Sequence, residues 1–147
     1  MACLAVGAPT PPRTFPASQL PGEVGHVAGG SRLASSPGDR PGWLTYGPGV
    51  SRAPGRYSFT LAYRASTPNG GVAGSWDVVV APVSSSSTPV GSTELAGGAL
   101  ADDGGRSEQV SRPFVVPSGH AEWTVQVRTV FSGPGSLQID HLTLAKG

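Results

Sequence analysis

The sequence predicts an all-β protein, an antiparallel two-sheet jelly-roll β-sandwich of eight or nine strands. Two observations lead there: apolar residues recur at every second position in several short runs, and clusters of Gly, Pro and Ser separate those runs. A third is the content of 22 Gly and 15 Pro in 147 residues. Inside a helix Gly costs about 1 kcal/mol and Pro about 3 kcal/mol, and here they recur too often for many helical turns to form.

Along the chain, residues 1–14 read as a flexible tail or linker and residues 15–147 as one β-sandwich domain, a size suited to a single core. Gly25–Ala28, Ser31–Ser35 and Trp43–Tyr46 are short candidate strands between turn clusters. G-P-G at 47–49 and A-P-G at 53–55 supply the backbone angles that reverse the chain before a core strand. In "RYSFTLAYRA", Tyr57, Phe59, Leu61 and Tyr63 share one face, and Ser58, Thr60, Ala62 and Arg64 the other. "GSWDVVVAPV" turns Trp76, Val78 and Val80 inward and Asp77 outward, while Val79 makes the outer face partly apolar, as in a central strand. "PVSSSSTPVGS" (82–92) and "ADDGGRS" (101–107) read as loops on either side of a strand at Thr93–Leu95. Gln109–Val116 is a further strand. "AEWTVQVRTVF" places Trp123, Val125 and Val127 together, opposite Thr124, Gln126 and Arg128. Trp76 and Trp123 share phase with aliphatic neighbours and belong to the core. In Leu137–Leu144, Leu137 and Ile139 hold one phase and Leu142 and Leu144 the other, so a bulge near Asp140-His141 is expected to reverse the face.

Charge narrows the partners. Charged residues are 13% of the chain, against a usual value of about 25%, and the net charge is +1. Nine Arg and one Lys are scattered among nine acids rather than gathered into a stripe, which argues against nucleic acid. The longest apolar run, Val78–Ala81, is far shorter than the roughly 20 residues of a membrane span, so no membrane partner is expected. The start "MACLAVGAPTPP" lacks a basic n-region and a full apolar core, which speaks against a secretory leader. The compartment stays open, an extracellular setting being compatible with a domain excised from a larger protein. Cys3 is the only cysteine and falls in the tail, so no internal disulfide is expected.

The order "LTYGP…PGRYSFTLAYRAS…GSWDVVVA…FVVP…WTVQVRTVFSGPGSLQIDHLTL" resembles the galactose-binding-like β-sandwiches that serve as carbohydrate-binding modules and as accessory domains of bacterial glycosyltransferases and glycoside hydrolases. The resemblance runs from about Phe15 to Ala145 and implies two antiparallel sheets in a jelly roll, with glycan binding as the accompanying function. It also implies a structural calcium at Asp140, which matches the closing Asp of that family; otherwise no cofactor is expected. Relatives often carry an aromatic after the G-P, where this chain has Gly49, and an early Glu where "PASQL" offers Ser18 and Gln19. Calcium takes about six to eight oxygen ligands, and one aspartate with carbonyls is a thin inventory, so a capping or turn-stabilising Asp140 is the reading preferred over calcium.

The outward residues supply the candidate site. If the central strands share a sheet, Thr60 and Arg64 sit beside Asp77, Gln126 and Arg128 on a polar, concave shelf. Carboxylates and guanidinium forks engage paired sugar hydroxyls, and an aromatic plate covers the apolar ring face. Trp43 and Tyr46, near strand ends, are the plate candidates. No G-x-S-x-G, P-loop, H-E-x-x-H or cysteine pair is present to position a nucleophile, phosphate or metal. His120 and Glu122 share a face only if both lie in a strand, and two ligands make a weak metal site. The function expected is therefore that of a non-catalytic carbohydrate-binding module, partnered by a glycan or polysaccharide and by a parent enzyme domain. The alternative is a structural or assembly domain that packs against protein in a virion or cell-surface array.

Overall fold

In the computed structural model of the chain, residues 12–82 and 93–147 are described. The expected tail as far as residue 11, with Cys3, and residues 83–92 of the expected loop lie outside them. Among the described residues the strands are β1 (Arg13–Pro16), β2 (His26–Ala28), β3 (Ser31–Ser35), β4 (Gly42–Thr45), β5 (Pro48–Arg52), β6 (Gly55–Ser66), β7 (Val72–Pro82), β8 (Thr93–Ala101), β9 (Glu108–Val116), β10 (Trp123–Phe131) and β11 (Ser136–Lys146). They form two antiparallel sheets. One has the order β2-β3-β11-β6-β9, with β1 also pairing β11; the other has β4-β10-β7-β8, with β5 also pairing β10. From β5 onward the chain crosses between the sheets at every connection except the β7–β8 hairpin, which is a jelly-roll path.

The alternation read from the sequence is the alternation of burial. On β10, Trp123, Val125, Val127, Thr129 and Phe131 are buried and the residues between them are half-exposed. On β6 the buried set is Tyr57, Phe59, Leu61, Tyr63 and Ala65, joined by Ala62. Phe59 and Trp76 meet across the slab, ring centroids 4.9 Å apart at 60°, and so join the two sheets. On β11 the register shifts between Ile139 and His141, where a bulge was expected. The extra residue turns Leu137, Ile139, Leu142 and Leu144 to the same core. Among the described residues two polar side chains are fully buried, Thr45 and Thr129. They satisfy each other: their hydroxyls are 2.7 Å apart, and Thr45 N–H donates to Thr129 Oγ1 at 3.1 Å.

Three elements differ from the reading of the sequence, each for a local reason. Among the described residues there are eleven strands rather than eight or nine, because β1 and β5 are short edge strands with little periodicity. Arg13 and Thr14, read as tail, pair with Leu144 and Thr143 of β11. Pro48 to Arg52, read as the continuation of a turn, pairs with β10; Pro48 is tolerated because it opens an edge strand, where its missing N–H breaks no ladder bond. β8 runs six residues beyond Leu95, through Gly97-Gly98, which reads as a breaker. Gly98 is there because a Cβ would lie 2.8 Å from the indole Nε1 of Trp76, its partner across the ladder.

Candidate functional site

The outer face of the β4-β10-β7-β8 sheet gathers five of the expected site residues. Trp43 comes from β4, Gln126 and Arg128 from the outward phase of β10, and Asp77 from the outward phase of β7. Tyr46 follows β4 directly. β4 and β5 both pair with β10, one after the other along the same edge, and the chain kinks between them at Tyr46-Gly47. Gly47 makes that kink with a φ of +101°, a conformation that side chains other than glycine rarely adopt. Val127 N–H donates to Gly47 O at 2.9 Å and Tyr46 N–H to Pro21 O at 3.0 Å, which pins the corner. The G-P-G motif thus works as scaffold, and the two aromatics it separates from β5 flank the sheet face.

Arg128 is the centre of this face. It stands directly opposite Asp77 in the β10–β7 register and holds it with a bidentate fork, Nε to Oδ1 at 2.8 Å and Nη2 to Oδ2 at 2.6 Å. The hydrogen bond to Asp77, together with the charges of Asp77 and Glu94, raises the Arg128 pKa above its ordinary value despite partial desolvation. The guanidinium carbon also lies 4.4 Å from the centroid of the Trp43 ring. Forked to a carboxylate and set over an indole, the guanidinium is oriented before any ligand arrives. Stacking by Arg128 leaves at most the other face of the Trp43 indole for a ligand, a narrower plate than the sequence suggested.

Two shallow hollows share Trp43 and Arg128 as a common wall. One, of about 300 Å³, is completed by Glu23, Tyr46 and Gln126. The other, of about 250 Å³, is completed chiefly by Ser75, Asp77, Glu94 and Gly97. Asp77 is paired with Arg128, so among the described residues the furrow carries one carboxylate outside any salt bridge at each side, Glu23 and Glu94. Sequence reading did not single out Glu23, which lies in a turn without periodicity. It is placed by its backbone, whose N–H donates to Trp43 O at 2.9 Å. Glu94 reaches this face through the β7–β8 bulge, which sets it opposite the outward Val79.

Thr60 and Arg64 are elsewhere. They belong to β6, which pairs with β11 and β9 in the other sheet, so their outward phase is the opposite outer face of the sandwich. The shared shelf expected for them is thereby corrected: the jelly-roll crossover after β6 sends β7 to the far layer. Thr60 is hydrogen-bonded to Ser111 at 2.7 Å, and Arg64 Nε lies 3.4 Å from Asp140 Oδ2. His120 and Glu122 precede β10 rather than sharing a strand face, and His120 packs edge-on against Trp123, centroids 4.9 Å apart.

Asp140 has the wrong surroundings for calcium. Its Oδ1 accepts from Ser31 at 2.7 Å and from Gln138 at 2.8 Å, while the Arg64 cation approaches Oδ2. Hydrogen-bond donors and a positive charge point at the carboxylate, where a calcium ion needs oxygens. Among the described residues no group of three or more His, Cys, Asp or Glu could hold a metal ion. The carboxylate instead ties the β11 bulge to β3 and β6. Burial pushes its pKa up, but the hydrogen bonds from Gln138, Ser31 and Arg64, with the Arg64 charge, outweigh that and hold it below the usual aspartate range. A depressed acid stabilises the fold above the unfolded aspartate value of about 3.9, and that stabilisation is lost as pH falls from there through the folded value. Asp140→Asn should therefore lower the melting temperature at neutral pH and flatten its decline on acidification. Melting followed by circular dichroism across the acid range checks this, and an unchanged slope would reject it.

No family model matches the chain, and no curated protein sequence matches it. Solved structures do. The chain is similar to the C-terminal family 6 carbohydrate-binding module of a marine laminarinase from Zobellia galactanivorans, with a TM-score of 0.58 and 13% identity over 92% of this chain and 100% of that one. It is similar to a family 6 module of lichenase 5A from Cellvibrio mixtus, solved with cellotriose, with a TM-score of 0.50 and 14% identity over 92% and 97% of the two chains. The CBM36-1 domain of a multidomain xylanase from the hindgut metagenome of Trinervitermes trinervoides gives a TM-score of 0.52 and 11% identity over 93% and 98%. The fold is the β-sandwich of carbohydrate-binding modules.

Proposed function

We propose that the chain is a non-catalytic carbohydrate-binding module that holds a neutral glycan along the furrow built on Trp43, Tyr46, Asp77, Gln126 and Arg128. The observation that carries this reading is the Asp77–Arg128–Trp43 arrangement, which presents an oriented guanidinium and an indole edge between two hollows. Sugar hydroxyls are donors as well as acceptors. Glu23, Glu94 and the Gln126 carbonyl accept from them, while Arg128 and the Gln126 amide donate. The Glu23 and Glu94 carboxylates disfavour an anionic ligand, so a neutral glucan or xylan suits the furrow. The fold supports the same class: cellotriose is the ligand of the Cellvibrio module, and the other two neighbours belong to a laminarinase and a xylanase. The non-catalytic reading is supported by Asp77, whose two oxygens are both engaged by Arg128 and so are poorly placed to act as nucleophile or base.

The test is a glycan array probed with and without a calcium chelator, beside sizing by light scattering. Selective binding to neutral glucans or xylans, indifferent to chelator and without turnover, is expected. Arg128→Ala should weaken that binding about tenfold or more, since it removes a charge-assisted donor and the partner of the indole. Arg64→Ala, on the opposite sheet, should leave it unchanged. Absence of any glycan signal, with a defined oligomer in solution, would instead favour the assembly domain.

A further inference from the structure

Three cations converge at one rim of the sandwich, away from the furrow. A cavity of about 330 Å³ is lined by Arg13, Arg52 and Lys146 together with Tyr57 and Leu144. By register Arg13 lies opposite Leu144, Lys146 opposite Tyr57, and Arg52 opposite Trp123. Each of those partners is a core residue. Each cation therefore continues the inward phase of its own strand, after Phe15 on β1, Val50 on β5 and Leu144 on β11, just past the last layer of the core. These are positions where a strand ordinarily places an apolar side chain or ends.

Among the described residues no side-chain carboxylate pairs with them. No acidic residue lines the cavity. The two salt bridges found among the described residues are Arg64–Asp140 and Arg128–Asp77, and neither involves this rim. Residues 1–11 and 83–92 contain no Asp or Glu. A single inward charge serves to keep an edge strand from pairing with another chain. Three like charges from three strands around one cavity repel one another and raise its positive potential, an arrangement that costs stability unless an anion resides there.

The cations also retain donors. The Arg52 Nη1 donates to Ser51 O at 2.8 Å, and among the described residues its other guanidinium donors have no protein acceptor. Arg13 lies over the Phe15 ring, its Cζ 4.9 Å from the centroid. Guanidinium forks of this kind match the paired oxygens of carboxylate, sulfate or phosphate, and the Lys146 ammonium adds a third point of charge.

We propose that this rim cavity is an oxyanion site, separate from the glycan furrow and independent of whether the furrow binds sugar. Its ligand is a carboxylate, sulfate or phosphate group, free or carried by an acidic polysaccharide. Inorganic sulfate is the first probe, titrated into the ¹⁵N-labelled chain at constant ionic strength balanced with chloride. The expected result is saturating shifts of the Arg13 and Arg52 Nε–H signals and of the Lys146 amide. Arg52→Gln with Lys146→Gln should weaken the affinity about tenfold or more, and Arg56→Gln, a change outside the cavity, should leave it unaltered. Shifts that rise without saturation, or that spread over all the arginines, overturn the proposal, as does a double variant that binds like the parent. Sulfated dextran and polygalacturonate against neutral dextran then separate the sources. Retention of an acidic polymer that depends on the three cations assigns a polysaccharide; saturation by sulfate alone assigns a free ion.

Discussion

Trp43→Ala is expected to lower glycan affinity by about 30-fold or more while the protein stays folded. The indole does two things at once: it lines both hollows of the furrow, and it underlies the Arg128 guanidinium, whose Cζ is 4.4 Å from the ring centroid. Removing it takes away an aromatic hot spot, worth about 2 kcal/mol or more in interfaces, and frees Arg128 to turn with the fork of Asp77 as its remaining restraint. Trp43 is half-buried on a four-residue edge strand whose core contact is Leu44, so the fold loses far less than the site. Trp43→Phe keeps a smaller ring and should recover part of the affinity. Titration calorimetry against a soluble glucan or xylan, alongside melting curves, separates the two effects. Unaltered affinity in Trp43→Ala would remove the furrow from consideration as the glycan site.

Phe59→Ala acts on the fold instead, and is expected to destabilise it by about 3–5 kcal/mol. Phe59 is 1% exposed. Its ring meets Trp76 of the other sheet at 4.9 Å and Phe114 of the neighbouring strand at 6.5 Å, so truncation opens a void where the two layers touch. Surrounding β strands are held by ladder bonds and cannot collapse far into that void, which puts the cost in the upper range for core residues. Against a typical total stability of about 5–15 kcal/mol, the loss should lower the melting temperature by about 10–20 °C. Thr60→Ala, one residue along and facing outward, should cost under about 1 kcal/mol. Denaturant titrations of the two variants compare them directly; equal losses would overturn the inward assignment of Phe59.

Much of this architecture was legible because β strands write their faces into the chain. Tyr57, Phe59, Leu61 and Tyr63 alternate strictly, and so do Trp123, Val125 and Val127, since one side of each strand meets water and the other the core. Even the bulge at Asp140 could be read, because the apolar phase of Leu137 and Ile139 reverses at Leu142 and Leu144. Edge strands carry less of this signal. Arg13–Pro16 and Pro48–Arg52 pair along one side only, so their sequences are free to hold Pro, Gly and Arg. Gly98 within β8 has a related cause: the requirement it answers is the indole of Trp76, which no local pattern announces.

The candidate site divides along the same line. That Asp77, Gln126 and Arg128 point outward follows from the residues beside them. That Arg64 and Thr60 point outward follows equally well, yet from the other side of the molecule. Alternation fixes in from out within a strand but is silent on which strands share a ladder, because pairing is made by backbone N–H and C=O groups that every residue carries alike. The sequence by itself determined the inward and outward faces of the alternating strands, β6, β7 and β10, and with them the all-β sandwich. Tertiary structure alone decided that Arg128 would meet Asp77 and Trp43, that Arg64 would meet Asp140, and that three cations from distant segments would gather at one rim. Those meetings depend on hydrogen-bonded partners brought together across loops and between layers, over separations along the chain at which side-chain periodicity carries no information.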